Sequence, residues 1–339
     1  MRRYIILTLL TFSFLLAEEA DHIIFNKITI RPNDAEMVSI YNPTLAPVDL
    51  SDYYISDAEY SATNSHYYNL PTGADFWTGF SSDFIIRFPS GTIINPGETL
   101  MIALHDQSTF EGYYGYQADL TIQEDMLDAV DGDDTIGSST ELLGDSYEVL
   151  ILFKWDGNPL SLIQDVDYFY WGNILGLPLY GIDKTGVLTY LPDTNINIQE
   201  QNILSAHDDG ESYVRKSMNE NGESGPQNNI AGNGITGHDE TSEVFIDSWE
   251  IVLESGCTIP SDPNYNPDAS IDDGSCLINS VTHTIEEIVT GSSAGYPATI
   301  FGLIVDFGDY REPNNGPQVI ALQEDSGYRI DMVIWDWDV

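Results

Sequence analysis

Oxygen-bearing side chains between the two cysteines are spaced like the ligands of a calcium ion. They are Asp262, Asn264, Asn266, Asp268 and Asp273. The first four lie at alternate positions and the last is twelfth counted from the first, an arrangement typical of calcium loops. Pro267 stands where an EF-hand has glycine, so the segment is not an EF-hand. Two interpretations remain: a calcium site, and a linker without an ion whose Asp and Asn side chains form turns.

Cys257 and Cys276 bound this segment and are the only cysteines of the chain. An even pair in an exported protein predicts a disulfide, which would add about 3 kcal/mol by closing the loop. The alternative is two free thiols.

Two other groups of side chains have metal-ligating types. Asp131-Gly132-Asp133-Asp134, with Asp128 nearby, either holds an ion or forms a solvated turn, and the turn is favoured. His238-Asp239-Glu240 with Glu243, and His207-Asp208-Asp209 upstream, contain zinc-ligand types without the spacing of a zinc site. No His-Glu-x-x-His is present. We therefore predict no catalytic metal.

No pattern of catalytic residues stands out. Gly291-Ser292-Ser293-Ala294-Gly295 fits the hydrolase elbow, but a strand must precede that motif and a helix must follow it, and here the predicted order is reversed. Neither a Walker loop nor a dinucleotide fingerprint is present. Two aromatic groups, Tyr67-Tyr68 and Tyr113-Tyr114-Gly115-Tyr116, fall in predicted loops, where exposed rings would stack on sugars or anchor a protein partner. The alternative is that these rings belong to the core of a sandwich, which also uses many aromatic residues. The sequence predicts a binding protein and no enzyme.

The charge of the chain limits its partners. Its 339 residues include 11 basic and 55 acidic ones, for a formal net charge of −44. Such a chain repels phosphate backbones, so nucleic acid is excluded as a direct partner. Clustered carboxylates attract divalent cations, and they also form solvated surfaces suited to salty media.

The first residues are typical of a secretory signal peptide. Arg2 and Arg3 precede an uncharged apolar run from Tyr4 to Leu16, and Ala17 is a candidate cleavage site. The run is short for a membrane span, and no later stretch is long enough, so we expect no stable span after cleavage. An uncleaved anchor is the alternative. The chain is therefore expected to be secreted or held at the cell surface.

Short predicted strands separated by Gly, Pro and Asn-Pro turns must position these residues. We predict strands at His22–Ile30, Glu36–Tyr41, Pro47–Ile55, Phe84–Phe88, Thr99–Leu104, Tyr147–Trp155, Leu160–Tyr170, Ser212–Lys216 and Val244–Leu253. Asp156-Gly157 predicts a hairpin. We expect no long helix before residue 284, and we expect Ser56–Ser82 to be a polar, aromatic insertion. Strands at this spacing predict an all-β sandwich.

Four blocks within residues 22–172 resemble the lamin-tail domain family in its bacterial secreted form. They are Ile24–Ile28, Glu36–Pro43, Val48–Ile55 and Phe88–Leu100. The resemblance implies an immunoglobulin-like sandwich of nine strands with no catalysis of its own. Lys27 and Ser39 stand where bacterial members commonly have acidic residues, so an acidic site at those positions would be lost. Bacterial members often accompany extracellular nuclease or phosphoesterase domains, where a tethering role is supposed.

The predicted organisation has four parts. A signal peptide (1–17) precedes a lamin-tail-type sandwich with insertions (22–250, core 22–172), a Cys-bounded acidic linker (256–276) and a partial OB-like module (283–339). An OB barrel needs five strands, and only three are recognisable: Ala298–Asp306, Gln318–Gln323 and Tyr328–Trp335. We expect one helical turn at Thr284–Ile288 and expect the chain to be a truncated gene product.

The function predicted from these features is an exported, non-catalytic binding or tethering module, with an envelope protein or a polysaccharide as partner. The alternative is the N-terminal accessory region of a secreted hydrolase, a nuclease or phosphoesterase, whose catalytic domain lies beyond residue 339.

Overall fold

The computed structural model describes residues 20–60, 65–172, 181–196, 198–199, 206–220 and 231–253, short pieces between 255 and 276, and four strands after residue 297. The chain divides into two compact units, Met1–Leu277 and Ile278–Val339. The predicted signal peptide (1–17) and the predicted helical turn at 284–288 lie outside the described residues.

The first unit consists mainly of short strands. They are β1 (Ile24–Thr29), β2 (Met37–Tyr41), β3 (Val48–Asp49), β4 (Tyr53–Ser56), β5 (Glu59–Tyr60), β6 (Ser65–His66), β7 (Ile85–Arg87), β8 (Ile93–Ile94), β9 (Thr99–Ala103), β10 (Leu120–Thr121), β11 (Leu127–Asp128), β12 (Tyr147–Lys154), β13 (Gln164–Gly172), β14 (Glu211–Arg215), β15 (Trp249–Leu253), β16 (Ser255–Gly256) and β17 (Ile271–Asp272). The helices are α1 (Gln107–Tyr114) and α2 (Phe245–Ser248), with 3₁₀ turns at Asn33–Ala35, Tyr67–Thr72 and Glu240–Ser242.

Eleven of these strands form two main sheets, and the others pair as β3-β8, β5-β6 and β16-β17. The six-stranded sheet has the order β10-β9-β2-β1-β14-β15, and the five-stranded sheet has the order β11-β7-β4-β12-β13. All neighbours in these two sheets are antiparallel except the β9–β10 pair. The predicted all-β class is confirmed.

One hydrophobic core joins the two sheets. The ring of Phe169 on β13 lies with its centroid 5.1 Å from that of Tyr213 on β14 and 4.3 Å from that of Trp249 on β15. Because β13 belongs to one sheet and β14 and β15 to the other, these rings fill the space between the sheets. Some strands are buried on both faces, since the consecutive residues Leu150 to Phe153 on β12 are all buried.

Several predicted elements differ in detail. Pro47–Ile55 is two short strands, β3 and β4, because a turn at Leu50–Tyr53 interrupts it. Val244–Leu253 begins with the short helix α2 before β15. The predicted insertion at Ser56–Ser82 contains a 3₁₀ turn whose residues Tyr67 to Pro71 are buried, so part of it belongs to the core.

Helix α1 lies in a region for which no helix was predicted. Asp106 caps its start by accepting a hydrogen bond from Thr109 N, and Gly115 ends it in the left-handed region at φ 74°. Its residues Phe110 and Tyr114 pack with Met37 and Ala103 in a second, smaller core. At eight residues it is too short for a clear helical periodicity in the sequence.

The second unit contains one antiparallel sheet in the order β18-β19-β20-β21. Its strands are β18 (Ala298–Ile300), β19 (Leu303–Phe307), β20 (Gln318–Gln323) and β21 (Arg329–Ile334). The prediction of one strand at Ala298–Asp306 is wrong, because β18 and β19 pair with each other through Ile300 and Leu303. The strand at Gln318–Gln323 is confirmed. Within the described chain, no helix has the length and apolar character needed to cross a bilayer.

Candidate functional site

An acidic cavity lies at one end of the five-stranded sheet. Because β4 runs antiparallel to both β7 and β12, the residue after β4 lies beside the start of β7 and the first half of β12. The cavity has a volume of about 360 Å³. It is lined by Asp57, Phe80, Ser82, Asp83, Glu141, Gly144, Asp145, Ser146, Tyr147 and Glu148. Five of these residues are acidic and none is basic, so the cavity attracts positively charged groups.

Asp57 is the most buried carboxylate of the cavity, with 4% of its surface exposed. Its Oδ1 accepts a hydrogen bond from Phe84 N at 2.6 Å. Its Oδ2 is buried and has no hydrogen-bond partner among the described residues. Burial raises the pKa of Asp57 well above its usual range, and the nearby charges of Glu148 and Asp83 raise it further. A bound cation would offset the free-energy cost of keeping the buried carboxylate of Asp57 charged.

Glu148, at the start of β12, is a second carboxylate whose surroundings disfavour its charged form. Burial, together with the charge of Asp83, raises its pKa to about 8, although Val149 N donates to its Oε1 at 3.2 Å and lowers it. At neutral pH the cavity therefore binds either protons or a positively charged ligand.

Contacts with the core hold the rim of the cavity in place. Arg31 pairs with Asp145 through two hydrogen bonds of 2.7 Å, from Nε and from Nη2. Trp171 Nε1 donates to Gly144 O at 2.9 Å. Since Trp171 is fully buried on β13, this bond links the rim to the hydrophobic core. Asp145 is neutralised in this way, whereas Asp57 and Glu148 have no cation in contact among the described residues.

Lys184 lies in a buried ionic cluster with two carboxylates. Its Nζ contacts Asp165 Oδ2 at 2.6 Å and Asp193 Oδ1 at 3.0 Å, and none of its surface is exposed. Tyr67 OH donates to Asp165 Oδ1 at 2.6 Å. The cluster joins β13 to the segment after residue 180 and is fully hydrogen-bonded, as a structural ion pair must be.

Arg215 forms a second buried cluster between the two sheets. Its Nη1 donates to Glu243 Oε1 at 2.8 Å, its Nη2 to Asp167 Oδ2 at 3.0 Å, and its Nε to Phe25 O at 2.8 Å. The ring centroid of Trp249 lies 4.9 Å from the guanidinium carbon. All three guanidinium nitrogens of Arg215 thus donate hydrogen bonds within the protein, which indicates a structural role.

A third buried cluster consists of His22, Glu220 and Glu240. His22 Nε2 lies 3.2 Å from Glu220 Oε1 and 4.0 Å from Glu240 Oε2. The ligand atoms of all three residues lie within 4.8 Å of one another, and this is an arrangement able to hold a metal ion. No part of the sequence pattern pointed to His22 or Glu220.

The predicted calcium segment is described only in part. Cys257 and Cys276 are joined in a disulfide, as predicted, so their sulfurs are not thiolate ligands. Asp262 is buried, and its backbone carbonyl accepts from Tyr265 N at 3.0 Å, while Asn266 N donates to Cys257 O at 2.9 Å. Asn264, Asp268 and Asp273 lie outside the described residues. The calcium site stays a prediction.

The other predicted groups are dispersed. Asp131 pairs with Arg87 at 2.6 Å, and Asp128 Oδ1 accepts from Thr135 N at 2.9 Å. Asp133 and Asp134 are exposed. These contacts fit a turn. His207 Nε2 accepts a hydrogen bond from Ile30 N at 2.8 Å. This bond to the backbone of the residue after β1 gives His207 a structural role.

The aromatic pairs expected on exposed loops are largely buried. Tyr67 and Tyr68 are 0% and 2% exposed and belong to the core. Tyr114 is 7% exposed and lies in helix α1, where its ring packs against Phe110. Of the two interpretations, burial in the core holds for Tyr67, Tyr68 and Tyr114, while Tyr113 and Tyr116 are half-buried.

No protein-family model and no curated protein matches the sequence. A DUF4876 family protein from Bacteroides thetaiotaomicron, known from a crystal structure, is similar over 68% of this chain and 71% of its own, with 14% identity and a TM-score of 0.37. Similarity at that level establishes neither a shared fold nor a shared function.

Proposed function

We propose that the chain is an exported, non-catalytic binding module that tethers a protein partner of the cell envelope by taking a basic side chain of that partner into the acidic cavity. The proposal rests on one observation: the buried Oδ2 of Asp57, which lacks a hydrogen-bond partner among the described residues and belongs to a residue that lines the cavity.

A lysine or arginine side chain fits the chemistry of this cavity. An ammonium or guanidinium donates charge-assisted hydrogen bonds and would give Asp57 Oδ2 the donor that it needs. It would also offset the repulsion among Asp57, Asp83 and Glu148, which raises the pKa of Asp57. The volume of about 360 Å³ is at the small end of ligand sites, which suits one side chain.

A protein partner is favoured over a polysaccharide. Sugar sites on β-sandwiches use exposed aromatic rings for stacking. Tyr67 and Tyr68 are buried, and the rings of Phe80 and Tyr147 lie in a lining with five acidic residues. The carboxylates of the cavity offer acceptors and negative charge, which match the basic side chains of a protein.

Export is supported by the disulfide and by the predicted signal peptide. Disulfides persist in oxidising compartments and are rare in the cytosol, and the chain joins Cys257 to Cys276. The lamin-tail type of the sandwich belongs to the same proposal. The two sheets and their common core support it, and the four sequence blocks lie in or beside strands of those sheets.

Calorimetric titration with a hexalysine peptide at physiological salt tests the role of the cavity. We expect Asp57→Asn combined with Glu148→Gln to weaken binding at least tenfold. Asp133→Asn combined with Asp134→Asn removes the same number of carboxyl groups from an exposed turn and is the matched control. Equal losses in the two double variants would show that only the net charge binds the peptide and would overturn the proposal.

A reporter fusion tests export. Residues 1–40 fused to alkaline phosphatase should yield active enzyme, because that reporter folds only where its disulfides form. Leu9→Arg, which interrupts the apolar run, should abolish the activity. An equally active Leu9→Arg fusion, or an inactive wild-type fusion, would contradict export by a signal peptide.

A further inference from the structure

His22, Glu220 and Glu240 belong to three separate segments of the sequence and lie next to one another in the fold. His22 lies just before β1, and Glu220 lies beyond the end of β14. Because β1 and β14 pair antiparallel through Lys27 and Val214, the start of one lies beside the end of the other. Glu240 begins the 3₁₀ turn that contacts β13. The exposed fractions of the three residues are 5%, 8% and 2%.

The imidazole of His22 is oriented as in a metal ligand. Its Nδ1 lies 3.0 Å from Ile23 O, and a carbonyl oxygen can only accept, so Nδ1 bears the hydrogen. In the neutral ring Nε2 then has the lone pair, and Nε2 is the atom directed at the two carboxylates. Histidines that bind metals are commonly fixed through the other ring nitrogen in this way.

The cluster lies close to the buried ion pairs of Arg215. Glu220 acts electrostatically on Asp167, Arg215 and Glu243, which places the Arg215 cluster close by. The carboxylates of Asp167, Glu220 and Glu243 thus act on one guanidinium, that of Arg215. Burying carboxylates is costly, and a divalent cation beside His22 would add positive charge among them.

Gly234 makes room for the Glu240 carboxylate. A Cβ at Gly234 would lie 2.1 Å from Glu240 Oε1, closer than atoms can approach. The absence of a side chain at Gly234 therefore allows Glu240 to point toward His22.

We propose that His22 Nε2, Glu220 Oε1 and Glu240 Oε2 form a binding site for a divalent transition metal ion such as Zn²⁺. One imidazole and two carboxylates are ligand types that zinc accepts, and three protein ligands leave a fourth position for water. The ion would join the start of β1, the end of β14 and the 3₁₀ turn at Glu240–Ser242. This site is separate from the acidic cavity and from the predicted calcium segment, and it does not depend on the proposed function.

Titration of the chelator-treated full chain with Zn²⁺ tests the site. Millimolar Mg²⁺ is included throughout, because it occupies the surface carboxylates of so acidic a chain. We expect one site of micromolar affinity or tighter, weakened at least tenfold in His22→Ala and in Glu240→Gln. His238→Ala is the matched control and should bind Zn²⁺ like the wild type, because His238 lies near Glu240 in the sequence outside the cluster.

Two measurements on the wild-type chain keep the test valid if a variant fails to fold. Anomalous diffraction from a Zn²⁺-soaked crystal should place the ion between His22 and the two glutamates. Nitrogen NMR of the His22 ring should show a shift of Nε2 on addition of Zn²⁺. If the His22 ring stays an imidazolium with and without Zn²⁺, the cluster is only an ion pair and the proposal is overturned. An ion bound elsewhere in the crystal would overturn it as well.

Discussion

The guanidinium of Arg215 on β14 donates from Nη2 to Asp167 Oδ2 on β13 at 3.0 Å, and this bond joins the two sheets inside the core. The same carboxylate oxygen accepts from Phe25 N on β1 at 2.6 Å. One buried ion pair therefore connects three strands. Its stability depends on all partners being present, because each charge has been removed from water.

Replacing Arg215 should destabilise the fold strongly. Arg215→Met leaves Asp167 and Glu243 buried without their cation, and we expect a loss of about 3–5 kcal/mol in the free energy of unfolding. Denaturant-induced unfolding of the wild type and the variant measures this loss. The adjacent exposed Lys216 provides the control, since Lys216→Met should change stability by less than about 0.5 kcal/mol. Similar small effects in both variants would show that the buried pair is dispensable.

The stability of the protein should fall as pH rises from 4.5 to 8. Burial raises the pKa of Glu36 from its ordinary 4.5 to about 8, despite hydrogen bonds from Leu142 N and Leu143 N. The nearby charges of Glu141 and Asp145 raise it further. In that range the folded state keeps a proton that the unfolded state releases, so each such group lowers stability by up to about 1.4 kcal/mol per pH unit.

Glu36→Gln should flatten this pH dependence, as followed by urea unfolding at several pH values. Glu98→Gln is the control, because hydrogen bonds from Asn95 lower the pKa of Glu98, so the folded state does not retain an extra proton on it. An unchanged slope in Glu36→Gln would contradict the assignment. Glu148, whose pKa is also raised to about 8, contributes in the same direction.

Gly172 should be intolerant of any side chain. It has φ 93°, and a Cβ there would lie 2.1 Å from Ser146 O and 2.3 Å from Tyr147 Cα. Gly172→Ala combines backbone strain with a clash against backbone, so we expect a loss of about 3 kcal/mol or more. Gly157 has φ 75° with no atom within 4 Å, and Gly157→Ala should cost only about 1 kcal/mol. Thermal melts compare the two, and equal losses would argue against the close approach at Gly172.

Reduction of the Cys257–Cys276 disulfide should expose Tyr265 to protease. Tyr265 is half-buried and its OH donates to Tyr114 O, while the disulfide closes the loop around it. Without the bridge the loop gains conformational freedom. Chymotrypsin should then cut after Tyr265 in Cys257→Ser/Cys276→Ser and in reduced wild type much faster than in oxidised wild type. The same cleavage rate in all three samples would show that the bridge does not protect the loop.

The strand pattern was largely predictable because it is local. Tyr147–Trp155 and the strand ending near Tyr170 form the long antiparallel pair β12–β13, as the apolar runs around Asp156-Gly157 indicated. Elements with weak periodicity were missed: helix α1 has eight residues, and the turn at Tyr67–Thr72 has no apolar repeat.

The acidic cavity and the His22 cluster could not be predicted, because the strand order decides which of their residues become neighbours. Asp57, Asp83 and Glu148 flank three strands that become neighbours only through the order β7-β4-β12. His22 and Glu220 are far apart in sequence and meet through the pairing of β1 with β14. Arg215 ends a strand, where a basic residue is usually exposed. The available signal was a set of acidic residues at predicted strand ends, without information on which ends meet.

A crystal structure of the protein with the hexalysine peptide tests the proposed binding role most directly. We expect a lysine ammonium in the acidic cavity, with Nζ about 3 Å from Asp57 Oδ2 and in contact with Glu148. A peptide bound to another surface, or density absent from the cavity at saturating peptide, would contradict it.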